Sequence, residues 1–200
     1  CCFSDIGWVV GQSFTVYGPL INGSTTVLFE GKPVGTPDAS TYWEIVERHR
    51  VTKFFTAPTA LRAIRKEDPG LELAKQHDIS SLKAIFVAGE RADPGTVEGY
   101  AKALRVNVVD NWWQTETGWP ISGMQLEGVG VKPGSCGLPL PGYDVRVLDD
   151  AGDEVAPNTL GSIVVKLPFP PGVMQSLWQD PARYVETYFS KFGENEHYFS

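Results

Sequence analysis

The stretch LKAIFVAGERADPGTVEGYAKALRVNVVD, residues 82–110, holds two short apolar runs with a helical pattern between them. Residues 82–88 predict a strand, residues 94–105 a helix with Pro94 near its start, and residues 106–110 a second strand. This order is typical of a parallel β-sheet, because parallel neighbours need a crossover connection, which is usually a helix.

The same alternation extends towards the N-terminus. Its predicted elements are a strand at 25–29, a helix at 39–50, a strand at 51–57 and a helix at 59–67. Ser40 or Asp38 is the expected N-cap of the first helix, Pro58 opens the second, and Asp68-Pro69-Gly70 ends it. We therefore predict an α/β fold, a parallel doubly wound sheet with flanking helices, over residues 1–125.

The composition changes near residue 126, because glycine and proline crowd residues 128–142. The segments that follow predict strands at 143–149 and 161–167, a hairpin-type turn at 150–153 and a helix at 180–189 capped by Asp180. We predict that residues 126–200 are part of a smaller, β-rich antiparallel subdomain.

Composition excludes several classes of protein. With 42% hydrophobic and 20% charged residues, the 200-residue chain can bury a core, which excludes a disordered chain. The net charge of −7 argues against nucleic-acid binding and against anionic membranes, since both require a positive surface. No apolar stretch approaches the ~20 residues that cross a bilayer. Three cysteines, two of them adjacent, form neither a disulfide framework nor a zinc site, which indicates a reducing compartment. We therefore expect a soluble intracellular protein.

Two polar loops follow the predicted strands, and parallel sheets bind ligands at such carboxyl ends. The first loop is Gly89-Glu90-Arg91, and the second runs from Asn111 to Gly118. In the second, an acid, an amide and an indole can recognise a base, a hydroxyl can contact phosphate, and Glu116 is a ligand suited to magnesium. The residues alone leave another interpretation open, in which the tryptophans are core residues and Thr-Glu-Thr caps a helix.

The loop DNWWQTETG, residues 110–118, resembles the signature loop of the adenylate-forming superfamily, and most closely that of the acetyl- and propionyl-CoA synthetases. Further matching segments lie in family order at 4–31, 54–64, 87–94, 132–155 and 186–192, so the resemblance covers nearly the whole chain. It implies the large N-terminal domain of these enzymes, in which a small β-barrel-like subdomain follows the α/β part. It also implies that the family's phosphate loop precedes residue 1 and that a lysine-bearing domain follows residue 200, so that the fragment alone is expected to be inactive.

The resemblance implies a role for each matching residue. The expected ATP- and AMP-binding residues are Gly89, Glu90, Arg91, Asp110, Asn111, Trp112, Gln114 and Thr115. The expected acyl pocket has Trp113 as its floor and Val9, Val10 and Ala88 as its walls, while Ala57 faces the CoA tunnel. Thr115 and Glu116 are the expected catalytic residues, and Glu116 also holds Mg²⁺. The implied reaction uses ATP to activate a small carboxylate as an acyl adenylate and transfers the acyl group to coenzyme A, in the cytosol or the mitochondrial matrix.

Pocket size argues for the substrate. Trp113 fills the space that a long acyl chain would occupy. Acetate-specific relatives carry valine where this chain has Ala88 and threonine where it has Val10, so both departures enlarge the pocket or make it more apolar. One methylene in such a pocket is worth ~1–3 kcal/mol, and we therefore expect propionate to be favoured over acetate or butyrate. Gly-Glu-Arg, where acetate enzymes have Gly-Glu-Pro, points the same way, but the sequence equally allows Arg91 to be a surface residue.

Two other functions remain open at this stage. One is another adenylate-forming enzyme, either a peptide-synthetase adenylation domain or an aryl-CoA ligase, although these usually lack the paired tryptophans because their pocket is deep. The other is a non-catalytic binding module that uses Trp112, Trp113 and Trp119 as an exposed stacking surface. Exposure of all three indoles would favour the module, and their burial would favour the enzyme.

Overall fold

The computed structural model describes residues 1–123 and 132–192, together with the backbone of a strand at 197–199. The helices are α1 (Val9–Gly11), α2 (Gly18–Ile21), α3 (Thr41–His49), α4 (Pro58–Glu67), α5 (Pro94–Leu104) and α6 (Pro181–Phe189), and a π-helical stretch, Gln12–Tyr17, joins α1 to α2. Short 3-10 turns lie at Ala74–Gln76 and Thr115–Thr117. The strands are β1 (Lys53–Thr56), β2 (Ala84–Val87), β3 (Asn107–Trp112), β4 (Ser122–Gly123), β5 (Leu138–Pro139), β6 (Asp144–Leu148), β7 (Ser162–Lys166) and β8 (His197–Phe199).

The first five strands form one sheet in chain order, with β1, β2 and β3 parallel and β4 and β5 added antiparallel. Helices α4 and α5 make the two crossovers, so the predicted α/β class with a parallel sheet is confirmed. The predicted loop beginning at Asn111 is wrong at its start, because β3 continues through Asn111 and Trp112. These two residues pair with Gly123 and Ser122 of β4.

Helices cover both faces of the parallel strands, as predicted. On one face, Phe54 and Ile85 join the main core with buried residues of α3, α4 and α5, among them Trp43. On the other face, Phe55 and Phe86 meet the helical segment at 9–21. The alternation arises because successive side chains of a strand point to opposite faces of the sheet.

Proline and aspartate start two of the helices. Pro58 and Pro94 occupy the first positions of α4 and α5, where a missing backbone N–H costs nothing. Asp93 caps α5 by accepting a 2.8 Å hydrogen bond from the backbone N–H of Thr96. Asp180 caps α6 in the same way, as predicted, because its side chain accepts from the N–H of Arg183 at 3.1 Å.

The predicted cap of α3 is only partly correct. Ser40 occupies the N-cap position, but its side chain makes no capping hydrogen bond. Asp38 instead accepts from the backbone N–H of Ser40 at 2.7 Å, which closes a turn just before the helix.

The predicted strand at 25–29 is wrong, because the described chain is irregular there. Val27 and Phe29 still pack against the main core while Leu28 is exposed. Alternate side chains of this segment are therefore buried, although its backbone does not pair with a strand.

Strands β6, β7 and β8 form a separate antiparallel sheet. Strand β5, which lies within the predicted β-rich subdomain, pairs with β4 in the first sheet instead, so the division of the chain at residue 126 stays a prediction. The predicted turn after β6 is present, and Asp149 accepts from the N–H groups of Ala151 and Asp153. Closure of this sheet into a barrel stays a prediction. The predicted boundary between residues 125 and 126 lies outside the described residues.

Candidate active site

A cavity of about 380 Å³ lies at the carboxyl ends of the parallel strands. Eight of its lining residues were predicted from the sequence: Val9, Val10, Ala57, Ala88, Gly89, Trp113, Gln114 and Thr115. Four others were not predicted: Ser4, Trp8, Phe55 and Thr56. The structure therefore brings the expected acyl pocket, the expected CoA residue and three of the expected ATP- and AMP-binding residues around one space.

Aromatic rings form the apolar end of the cavity. The ring of Trp113 stands edge-on to that of Phe14, at a centroid distance of 5.6 Å and an interplanar angle of 79°. It meets Phe55 at 6.4 Å and 70°. Such edge-to-face contacts are favourable and fix ring orientation. Ala88 is buried, and Val10 packs beside it, so this end of the cavity is small and closely packed.

The loop after β3 is held by its own polar side chains. Gln114 is the N-cap of the 3-10 turn at Thr115–Thr117, with reciprocal capping hydrogen bonds between Gln114 and Thr117. The Thr117 hydroxyl donates to the carbonyl oxygens of Gln114 and Trp119, both at 2.9 Å, as alternative acceptors. Gln114 and Thr117 thus cap the turn, as the alternative interpretation of this segment expected. Thr115 nevertheless stays exposed at the rim of the cavity, where a phosphate group has access.

Glu116, the expected metal ligand, contacts a residue that was not predicted. The Tyr188 hydroxyl of α6 donates to Glu116 Oε1 at 2.8 Å, across 72 residues of sequence. Burial, together with this carboxylate, raises the pKa of Tyr188 to about 12, so it stays a donor at neutral pH. The N–H of Met174 also binds the backbone oxygen of Glu116 at 2.7 Å. Tyr188 lies in the segment at 186–192, which resembles the family. That resemblance did not predict the contact with Glu116.

Glu90 and Arg91 do not line the cavity. The Glu90 carboxylate accepts hydrogen bonds from the backbone N–H of Thr59 (2.7 Å), from the Thr59 hydroxyl and from Arg62 (2.8 Å). These bonds, led by the hydroxyl, lower the pKa of Glu90. Glu90 therefore ties its loop to the first turn of α4, where a carboxylate is favoured by the helix dipole. Arg91 is exposed on the same loop.

Asp110 and Asn111 are buried near the carboxyl end of β3, where Asp110 pairs with Val87 at the end of β2, and neither lines the cavity. The Asn111 amide donates to the carbonyl oxygens of Val87 and Val109 at 3.3 and 3.2 Å. Burial raises the pKa of Asp110 to about 6, against the opposing effect of backbone N–H donors from Asn111 and Ala92. A buried carboxylate with a raised pKa at a strand end is a frequent mark of a functional site.

The three tryptophans do not share one exposed surface. Trp112 and Trp113 are half-buried and pack into apolar clusters, whereas Trp119 is 53% exposed. Trp112 and Trp113 are neighbours in the chain, but only Trp113 reaches the cavity. This arrangement favours a pocket over a stacking platform.

Within the described part of the chain, no group of three or more metal-binding side chains converges. Magnesium needs no such group, because it is commonly held by one or two carboxylates, substrate phosphates and water. A single carboxylate at Glu116, the residue that follows Thr115, fits that pattern, although Glu116 itself does not line the cavity of about 380 Å³. All three cysteines are free, and among the described residues no helix is long and apolar enough to span a membrane.

Comparison with known families shows the family to which the chain belongs. The family model described as AMP-binding enzyme matches residues 1–178. The chain belongs to the AMP-binding enzyme family. The match covers α1 through β7, and therefore every strand and loop that lines the cavity of this AMP-binding chain.

Curated relatives of this AMP-binding chain carry more specific names. Mitochondrial acyl-CoA synthetase short-chain family member 3 of Mus musculus is 51% identical over 193 residues, which are 94% of this chain and 28% of that protein. The propionate–CoA ligase of Salmonella typhimurium is 44% identical over 194 residues, 96% of this chain and 30% of that protein. An acetyl-coenzyme A synthetase of Chromobacterium violaceum is 41% identical over 202 residues, 100% of this chain and 30% of that protein. The chain thus spans less than a third of the length of these relatives.

Proposed function

We propose that the protein containing this chain is an AMP-forming short-chain acyl-CoA synthetase that favours propionate. The observation that carries the proposal is the cavity of about 380 Å³, closed by Trp113 and walled by Val9, Val10 and Ala88. This volume is near the lower limit of typical ligand sites, and it must also admit a reacting carboxylate beside Thr115. Further support comes from the names of the relatives, which include an acetyl-coenzyme A synthetase and a propionate–CoA ligase.

The chemistry requires positioning more than covalent catalysis. A carboxylate oxygen attacks the α-phosphorus of ATP, forming an acyl adenylate and releasing pyrophosphate. The thiolate of CoA then attacks the acyl carbon, and AMP leaves with the bonding electrons. Holding two anions in line and stabilising developing charge accounts for most of such catalysis. In this proposal Gln114 and Thr115 orient the carboxylate and the α-phosphate, and no cysteine takes part.

The remaining residues divide between the nucleotide, the metal and CoA. Glu116 would hold magnesium, which neutralises phosphate charge when it is bound. Asp110, Asn111 and Trp112 form the adenine side together with the Gly89 loop, and Glu90 serves mainly to fix that loop through its bonds to Thr59 and Arg62. These bonds link the loop to α4, directly beyond Ala57, the residue that we assign to the CoA tunnel. We place the protein in the cytosol or the mitochondrial matrix.

The preference for propionate rests on Ala88 and Val10, and Ala88→Val tests it. Valine adds two methyl groups to a wall that is already buried, so the extra methyl of propionate loses its space. We expect the ratio of kcat/KM for propionate to that for acetate to fall about 10-fold or more in pyrophosphate exchange. Ala103→Val, on the exposed face of α5, is the matched control and should leave the ratio unchanged. An unchanged ratio in the Ala88→Val protein would refute the pocket assignment.

A further inference from the structure

A second cavity, of about 1020 Å³, lies on the same face of the sheet and is lined by the segment at 13–25 and the loops around 118 and 171. It is a separate groove and contains neither Trp113 nor Thr115. Among the described residues that line the two cavities, Phe55 is the only one common to both. Phe55 therefore lies between the small cavity and the larger groove.

The position of Phe55 is fixed from several directions. Its backbone N–H donates to the Cys1 carbonyl oxygen at 3.0 Å, and its own carbonyl oxygen accepts from the N–H of Phe3 at 2.8 Å. Its residue partner in the parallel register is Phe86 of β2, whose ring stacks on it at 6.4 Å and 14°. Phe14 contacts the ring at a centroid distance of 4.5 Å, and only 4% of Phe55 is exposed.

We propose that Phe55 is the rear wall of the acyl pocket and sets the longest acyl chain that the pocket accepts. This proposal rests on the proposed function, since it concerns the same cavity. Trp113 limits the cavity from the loop after β3, and Phe55 limits it from β1. A smaller side chain at position 55 would leave an apolar passage from the cavity into the groove, which suits the alkyl chain of a five- or six-carbon carboxylate.

The test compares Phe55→Leu with Phe86→Leu in the protein that contains this chain. Both changes remove a ring from the same sheet face and from the same stacked pair, but Phe86 lines only the groove. The measured quantity is kcat/KM for pyrophosphate exchange with hexanoate divided by that with propionate. We expect this ratio to rise at least about 10-fold in Phe55→Leu and to change less than about 2-fold in Phe86→Leu.

Two outcomes would overturn the proposal. One is an unchanged ratio in Phe55→Leu while exchange with propionate persists. The other is an equal rise in both variants, which would indicate general loosening of the aromatic cluster. Should Phe55→Leu fail to fold, Phe55→Met decides in its place, because methionine also removes the ring and its flexible chain is tolerated in irregular cores.

A binding measurement separates pocket size from catalysis. Propyl and hexyl esters of AMP mimic the acyl adenylate and cannot react further. We expect Phe55→Leu to tighten the hexyl ester relative to the propyl ester, with no such gain in Phe86→Leu. Equal relative affinities in the wild type and in Phe55→Leu would contradict the proposal. Absence of exchange with every carboxylate in the wild type would instead refute the proposed function itself.

Discussion

The buried carboxylate of Asp110 should contribute less to the stability of the folded protein as the pH rises. The side chain is 4% exposed, and burial raises its pKa from 3.8 to about 6. The folded state therefore holds the proton more tightly than the unfolded state. The contribution of Asp110 to stability is highest below about pH 4, falls as the pH rises to about 6, and then stays low. Since each pKa unit corresponds to about 1.4 kcal/mol, the ionised carboxylate destabilises the folded protein by roughly 3 kcal/mol.

The substitution Asp110→Asn removes this titration and keeps the shape of the side chain. We expect the free energy of unfolding of the wild type, relative to the variant, to fall by about 2–3 kcal/mol between pH 4 and pH 7.5. Only the difference between the two proteins is interpreted, because other carboxylates with lowered pKa values, Glu90 and Asp93 among them, act in the opposite direction. The amide must also find an acceptor, which shifts the variant by a constant amount at every pH.

The assay is urea unfolding followed by tryptophan fluorescence at several pH values. Asp153→Asn, at an exposed turn, is the control and should show no such pH-dependent difference from the wild type. A difference between Asp110→Asn and the wild type that does not vary with pH would refute the account of a buried, costly charge. The same variant should bind ATP more weakly if the carboxylate contacts the adenine, so that a stability gain and an affinity loss appear together.

Two further predictions concern single hydrogen bonds. Tyr188→Phe removes the donor to Glu116, a charge-assisted bond worth about 1.5–3 kcal/mol, and should raise the magnesium concentration for half-maximal exchange. Tyr184→Phe, on the same helix, should not, and equal effects in the two variants would contradict the positioning role. Asp93→Ala removes the N-cap of α5 and should lower the free energy of unfolding by about 1 kcal/mol in urea titrations. Glu98→Ala, on the exposed face of α5, should change it little, and a comparable loss there would count against the capping argument.

Local patterns predicted the elements that lie within one stretch of sequence. The β2–α5–β3 unit follows from two apolar runs, a helical period and a proline at the helix start, all within residues 82–110. The extension of β3 through Trp112 did not follow, because its partner, β4, is only two residues long. The helical segment at 9–21 was also missed, since glycine and β-branched residues conceal its periodicity and part of it is π-helical.

The site shows the same limit more sharply. Family resemblance named eight residues that the structure gathers around one cavity, but it could not supply Phe55, whose importance depends on what lies behind its ring. Strand alternation predicts that Phe54 and Phe55 face opposite sides, without saying which side holds the cavity. The contact between Tyr188 and Glu116 joins residues 72 positions apart, and only tertiary packing brings them together.

The most direct test of the central claim is carboxylate-dependent ATP–pyrophosphate exchange by the protein that contains this chain. Acetate, propionate, butyrate and benzoate are compared side by side at saturating ATP and magnesium. We predict exchange with the short aliphatic acids, highest with propionate, and little with benzoate, because Trp113 and Phe55 close the cavity. Exchange that peaks at benzoate, or no exchange with any of the four acids, would contradict the account.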